Sequence, residues 1–316
     1  MTTEKKRLII IDSNSIIHRA YHALPPLTTK KGELVNAVYG FLLVFLKIIK
    51  DFHPDYIVAA FDFPAPTFRH KKYKEYKAKR PPTPDDLRQQ IPKVKEVLKS
   101  FNVPIFEKEG YEADDIIATI KFKSQTLKVK TIIISGDSDL LQLIDKKTEV
   151  YILKKGIKDA VVYNENLVKE QFLGLRPQQL LDFKALKGDP SDNIPGVPGI
   201  GEKTAIKLIK EFGSLENLYS ALNQQPLSKE KLINLNQRLL SLLKQYKEQS
   251  FLSKNLSKTK KNTPINFDIK KCQWGKFDKE KVIQTLKTME FFSLIEKLPN
   301  SDYQKQEKIQ GSLKLW

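Results

Sequence analysis

Cysteine is almost absent: Cys272 is the only one among 316 residues, which excludes an internal disulfide and a cysteine-based zinc site. Long apolar runs are missing too. The longest, FLLVFLKII from Phe41 to Ile49, already contains Lys47, whereas a membrane-spanning helix needs about 20 apolar residues. The start, MTTEKKRLIII, offers four apolar residues after its charges, too few for a secretory h-region, so a cytoplasmic protein with no membrane partner is expected. Acid is in deficit as well. Asp and Glu number 37 against 55 Lys and Arg, a net charge of +18, and a field of that sign attracts polyanions, nucleic acid first. Forty-eight of the basic residues are Lys, and part of that excess reads equally as solvated surface. The hydrophobic content is ordinary, 40% with 9% aromatic, which excludes disorder as the main state. The length allows about two domains at roughly 150 residues each.

The first half alternates strand and helix patterns. RLIII (7–11), YIVAAF (56–61) and TIIIS (131–135) are short, β-branched and nearly continuous apolar runs, as strands buried on both faces of a parallel sheet require. VPIF (103–106) and VYIL (150–153) are weaker candidates, and helical periods fill 36–50, 92–101 and 113–123. This alternation predicts an α/β unit over 7–171, a mostly parallel sheet with helices on both faces. From about Phe172 the period is helical throughout, which predicts an all-helical unit over 172–297. From residue 298 the pattern fades into a loose tail. One stretch interrupts the α/β half: RHKKYKEYKAKRPPTPDDLR, 69–88, is dense in basic residues and almost free of apolar ones. Its composition predicts a segment outside the core, overhanging the end of the strand before it.

Acids follow each of the three best strands: Asp12 after LIII, Asp62 after VAAF, Asp137 and Asp139 after IIISG. In open α/β sheets ligands bind at the carboxyl ends of the strands, where parallel neighbours would bring these acids together. Glu112, Asp114 and Asp115 in GYEADDII and Asp189 and Asp192 in KGDPSDNIPG add five more. Singly, an Asp before Ser or Asn is commonly a turn or helix cap. Jointly, nine carboxylates would repel by roughly 1 to 4 kcal/mol per pair at about 4 Å and need a cationic counterpart. With oxygen ligands alone, the implied ions are Mg²⁺ or Mn²⁺ rather than zinc. His18 and His22 have helical metal-ligand spacing but no HExxH context, and read as ordinary helix residues. A basic protein with an acidic metal pocket suits phosphodiester hydrolysis, with lysines on the phosphate backbone and two metals at the reacting bond.

The turn from Gly196 to Gly201, followed by an amphipathic helix from Glu202, lets backbone approach a phosphate closely and offers helix-start N–H groups to it. GVPGIGEKT superficially matches a nucleotide-binding loop, but Glu202 separates Gly201 from Lys203 and no strand precedes it. A helix-hairpin-helix element that grips duplex backbone without reading bases is the better reading.

With these residues assembled, the chain resembles the 5′ nuclease module of the flap endonuclease family, as found at the N-terminus of bacterial DNA polymerase I. LIIIDSNSIIHRAYHALP, AAFDFPAPTFRH, YKAKRPPTPDDLRQQ, GYEADDIIATI, ISGDSDLLQL and LKGDPSDNIPGVPGIGEKTA occur in family order over about residues 7–295. The resemblance implies that all nine acids are metal-site positions binding two or more Mg²⁺ ions, with Mn²⁺ able to substitute. It further implies that 69–92 is a helical arch for a single-stranded 5′ end, with Tyr76, Lys77 and Arg80 facing the scissile phosphate and Lys77 and Arg80 catalytic. Arg19, Arg69, Gly196, Gly199, Gly201, Lys203 and Thr204 match DNA-binding positions, the last five within a helix-three-turn-helix motif over about 185–213. The activity so implied is 5′-3′ exonuclease and 5′-flap endonuclease action on DNA with flaps, nicks or free 5′ ends, RNA primers included, by a monomer in replication and repair. The chain stops where a connecting linker would begin, which leaves both a free-standing nuclease and a fragment open. Two rivals stand beside this reading. A haloacid-dehalogenase-type phosphatase needs a second Asp two residues after the first, where this chain has Asn14. A non-catalytic DNA-binding protein would have no reason to gather nine carboxylates.

Overall fold

The computed structural model describes residues 6–154, 156–223 and 236–299. All but the first two residues of the expected tail lie outside them. Six strands form one sheet: β1 (Lys6–Asp12), β2 (Tyr56–Ala60), β3 (Ile105–Phe106), β4 (Val129–Ser135), β5 (Thr148–Leu153) and β6 (Ala160–Tyr163), in the order β3-β2-β1-β4-β5-β6. β1 to β5 are parallel and β6 pairs antiparallel with β5 at the edge. The short and mostly half-exposed β6 lacks the apolar run that marks the central strands in the sequence.

The period of two along each strand decides which layer a residue enters. Ile9, Ile11, Ile57, Ala59, Ile132 and Ile134 face the core shared with α1 (Ser13–Ala23), α2 (Asn36–Phe52) and, further on, α5 (Gln90–Ser100). Leu8, Ile10, Val58, Ala60, Ile133 and Val150 face the opposite core, with α6 (Ala113–Ser124) and α7 (Glu165–Gln171). Between β2 and α5 lie two short helices, α3 (Phe68–Lys72) and α4 (Asp85–Arg88), at the two ends of the basic stretch.

A third core gathers Leu175, ahead of α8 (Leu180–Lys187), with Phe183, Leu208, Ile209, Leu218 and Leu243 from α8, α9 (Glu202–Phe212), α10 (Leu215–Asn223) and α11 (Gln237–Gln245). α12 (Lys247–Ser257) packs beside α8. The chain then returns to the sheet. Cys272 joins the α6 side, while Phe277, Val282, Leu286, Phe291 and Leu294, from α13 (Lys279–Thr288), α14 (Phe292–Ile295) and their flanks, complete the α2 side. The helical pattern over 172–297 therefore divides in its packing near Lys258. A period of 3.6 reports that a face is buried and not which partner buries it.

Candidate metal centre and nucleic-acid interface

The site is built at the carboxyl ends of the adjacent strands β2, β1 and β4. Asp12 is the last residue of β1 and caps α1, accepting the Ser15 N–H at 3.4 Å and the Ser135 hydroxyl at 2.5 Å. Ser135, ending β4, also accepts the Asp137 N–H at 2.8 Å. Asp137 in turn caps the turn that carries Asp139, accepting its N–H at 2.8 Å. Asp62, two residues beyond β2, accepts the Ala113 N–H at 2.7 Å at the start of α6, while its own N–H donates to Asn14 Oδ1 at 3.1 Å. The capping roles and the convergence thus coincide, because strand ends that feed helix starts place a carboxylate where N–H groups point.

Asp12, Asp62, Glu112, Asp114, Asp137 and Asp192 line one open cleft of about 770 Å³, together with Asn14, Ser15, His18, Arg19, Lys77 and Arg80. Asp139 and Asp189 line a smaller neighbour of about 240 Å³, which shares Asp137 with the first. Asp115 lines neither. It is fully buried, its two oxygens held in a fork by Arg69 at 2.7 and 2.8 Å and further bonded by the Glu112 and Lys260 N–H groups at 3.1 and 2.7 Å. The expected ligand position at Asp115 is thereby replaced by an internal ion pair that fixes the start of α6.

Much of the counter-charge comes from the chain itself. Glu112 pairs with Lys77 at 3.0 Å and Arg69 at 3.3 Å, Asp192 with Arg80, and Lys184 bridges Asp139 and Asp189, the latter at 2.7 Å. Lys184 is a site residue that the strand-end pattern does not point to, and its only sequence signal is a place in α8 just ahead of the GDPSD acids. Asp12, Asp62, Asp114 and Asp137 form none of the close ion pairs seen among the described residues, and burial shows in the titration of Asp12, Asp62 and Asp114. Asp12 is pushed up to about 7 by burial, which the Ser135 bond offsets only partly and the charges of Asp62 and Asp137 reinforce. Burial likewise raises Asp62, and burial with Asp137 and Asp12 raises Asp114 well above the carboxylate range. Asp139 is pushed up to about 7 by burial and Asp137 despite Lys184, whereas Lys184 and Ser191 outweigh burial at Asp189 and hold it low.

A buried cluster of acids with raised affinity for protons is equally a cluster with affinity for a cation. Among the described residues no three of these groups are gathered tightly enough to ligate one ion by themselves. The carboxylate donor set of the cleft suits a hard divalent cation held together with water. It does not fit a closed structural zinc cage.

Most of the basic stretch is exposed or half-exposed, but three of its side chains are not. Arg69, Tyr76 and Leu87 are only 2%, 3% and 0% exposed. The acids beneath draw the segment inward, and Tyr76 packs against Ile194 and Leu256 with its hydroxyl 3.1 Å from both Glu112 and Asp192. Burial and those two charges keep the phenol protonated, and its ring is not an open stacking surface. Lys77 and Arg80 do face the cleft. Arg19 lines it too, yet its guanidinium donates to the Gly136 carbonyl at 2.9 Å and to that of Lys154, so it ties the loop after β4 to β5.

In the glycine turn, Gly196 is buried with φ of 63°, and a Cβ there would lie 2.2 Å from the Gly188 nitrogen. Its N–H donates to Ser253 and its carbonyl accepts from Gln249, so the expected phosphate contact at Gly196 gives way to closure of the turn. Gly199, Gly201 and Lys203 are exposed and Thr204 is half-buried; Lys207 and Lys210 continue the outer face of α9.

A mostly parallel α/β sheet with acids at its strand ends, faced by basic side chains and followed by a small helical unit, defines a nuclease architecture. Family models agree in both parts: 5′-3′ exonuclease, N-terminal resolvase-like domain, matches residues 7–173, and 5′-3′ exonuclease, C-terminal SAM fold, matches 175–280. The chain belongs to the 5′-3′ exonuclease family. It is 42% identical over 243 residues to the 5′-3′ exonuclease of Aquifex aeolicus, covering 75% of this chain and 82% of that one. It is 41% identical over 296 residues to DNA polymerase I of Bacillus subtilis, covering 94% of this chain but 32% of that protein. The chain thus spans about a third of the length of its polymerase relatives. In fold it is similar to a zinc-bound 5′-exonuclease of bacteriophage T5, with TM-score 0.65 and 23% identity over 80% of this chain and 89% of that one. It is also similar to the catalytic core of Rad2 in complex with DNA, with TM-score 0.57 and 21% identity over 92% and 89%.

Proposed function

We propose that this chain is a divalent-metal-dependent 5′-3′ exonuclease and 5′-flap endonuclease, acting as a cytoplasmic monomer on DNA flaps, nicks and free 5′ ends, and on RNA primers, in replication and repair. The observation that carries this reading is that Asp12, Asp62, Asp114 and Asp137 line one cleft together with Lys77 and Arg80. Acids and cations in one cleft suit a metal-held phosphodiester. Either sign alone would suit only one half of it.

Mg²⁺, replaceable by Mn²⁺, would be held by Asp12, Asp62, Glu112, Asp114, Asp137, Asp139, Asp189 and Asp192, and when bound supplies activation of water and neutralisation of the leaving 3′-oxygen. Lys77 and Arg80 reach across from their carboxylates to the non-bridging phosphate oxygens, where charge grows in the transition state. Ser135 and Ser15 orient Asp12 for this task, and Arg69 with Asp115 sets the α6 start that carries Glu112 and Asp114. α8, the glycine turn and α9 act as a helix-three-turn-helix grip, with Gly199, Gly201, Lys203 and Thr204 on duplex phosphates. Cleavage leaves a 5′-phosphate on the released product.

Incubation with a 5′-flap DNA, with and without Mg²⁺, tests the reading by product size. Metal-dependent cuts near the flap junction are expected. Binding without cleavage at any Mg²⁺ or Mn²⁺ concentration would instead make this a non-catalytic DNA-binding protein.

A further inference from the structure

The segment carrying Lys77 has little apolar surface to hold it. Beyond α3 its one buried side chain before Leu87 is Tyr76, and residues 78–82 are exposed. Besides the bonds of Tyr76 and Lys77 to Glu112, it is attached to the hairpin 189–194, whose ends are closed by the Asp189 and Ile194 backbone groups bonding reciprocally at 2.8 Å. Across this junction the Lys77 N–H donates to the Asp192 carbonyl at 2.9 Å, and the Asn193 side-chain amide donates to the Glu75 carbonyl at 2.7 Å. Lys77 and Asn193 both adopt left-handed backbone, with φ of 56° and 55°. A lysine rarely sits there, whereas asparagine tolerates it. The non-glycine strain at Lys77 persists only if neighbouring contacts over-determine it, and Asn193 supplies one of them from outside the cleft, which it does not line.

We propose that Asn193 is a positioning residue: its side-chain amide clips the basic segment onto the hairpin through Glu75 and so sets Lys77 against Glu112 in the cleft. The hairpin also carries Asp189 and Asp192, so the clip acts with the Lys77–Asp192 backbone bond and the Arg80–Asp192 pair to keep the basic wall in register with the acids it faces. The consequence for cleavage rests on the nuclease reading above; the clip itself does not.

Two variants separate the amide from the backbone. Asn193→Asp keeps the shape and turns the donor into an acceptor facing a carbonyl, while Asn193→Gly keeps the left-handed backbone and removes the side chain. Limited trypsin digestion of the full chain should cut after Lys74, Lys77 or Lys79 faster in both, by roughly 2- to 12-fold, the range one net hydrogen bond contributes to an opening equilibrium. Thermal midpoints should match the parent. Single-turnover cleavage of 5′-flap DNA should slow severalfold with DNA affinity unchanged, and in a Lys77→Ala background Asn193→Asp should cost nothing further, because its effect runs through that lysine. Unchanged trypsin rates would overturn the clip, and an equal loss with and without Lys77 would overturn its route to the chemistry. If the parent does not cleave, the nuclease reading fails while the trypsin rates still decide whether the clip exists.

Discussion

Replacing Arg69 with Met should cost stability before it costs anything else. The guanidinium is buried and forked onto the fully buried Asp115, and it also donates to the backbone carbonyls of Leu256 at 2.8 Å and Lys258 at 3.0 Å. One side chain therefore joins α3, α6 and the end of α12. Met fills much of the same volume but leaves Asp115 charged, buried and without its partner. Breaking a buried pair from one side costs about 3 to 5 kcal/mol, because the desolvated charge left behind has nothing to offset it. Asp115→Ala should cost a similar amount from the other side. The double variant Arg69→Met/Asp115→Ala should lose less than the sum by about 0.5 to 3 kcal/mol, since neither charge is then stranded. Urea unfolding followed by circular dichroism, with the midpoint and slope fitted for each variant, measures the cycle. If Asp115→Ala unfolds within about 1 kcal/mol of the parent while its affinity for Mg²⁺ collapses, Asp115 is a metal ligand and the argument from its hydrogen bonds is wrong.

Three other outcomes are expected. Asp12 and Asp139 are pushed up to about 7 by burial, so they hold protons below that pH that a divalent cation must expel. Titration calorimetry in two buffers of different ionisation enthalpy should show proton release that is large near pH 6 and small near pH 8.5, and a pH-independent signal would contradict those shifts. Lys77→Ala should slow single-turnover cleavage on the order of 10²- to 10³-fold with little change in DNA affinity; a rate equal to the parent's would leave the basic segment without a chemical role. Lys203→Ala should reduce the log-log salt slope of duplex binding by about 1 if its ammonium neutralises one phosphate, whereas an unchanged slope would move the duplex site away from the start of α9.

The amino-acid sequence by itself determined the local choices. RLIII, YIVAAF and TIIIS are strands because continuous β-branched runs suit burial on both faces of a parallel sheet, and acids placed directly after them had to emerge at one edge of that sheet. Reading Asp12, Asp62 and Asp137 as a group needed no coordinates for that reason. Only the tertiary structure decided which cation answers which acid. Arg69 meets Asp115 across 46 residues, Arg80 meets Asp192 across 112 and Lys184 meets Asp139 across 45, and no local pattern encodes partners so far apart. The same long-range pairing turned Tyr76 inward from a stretch whose composition spoke for solvent, because charges that would cost energy to bury alone are buried here together. Only the folded chain, too, shows residues 259–298 returning to the two cores that flank the sheet. A helical period states that a face must be covered, and the covering surface exists only once the rest of the chain has folded.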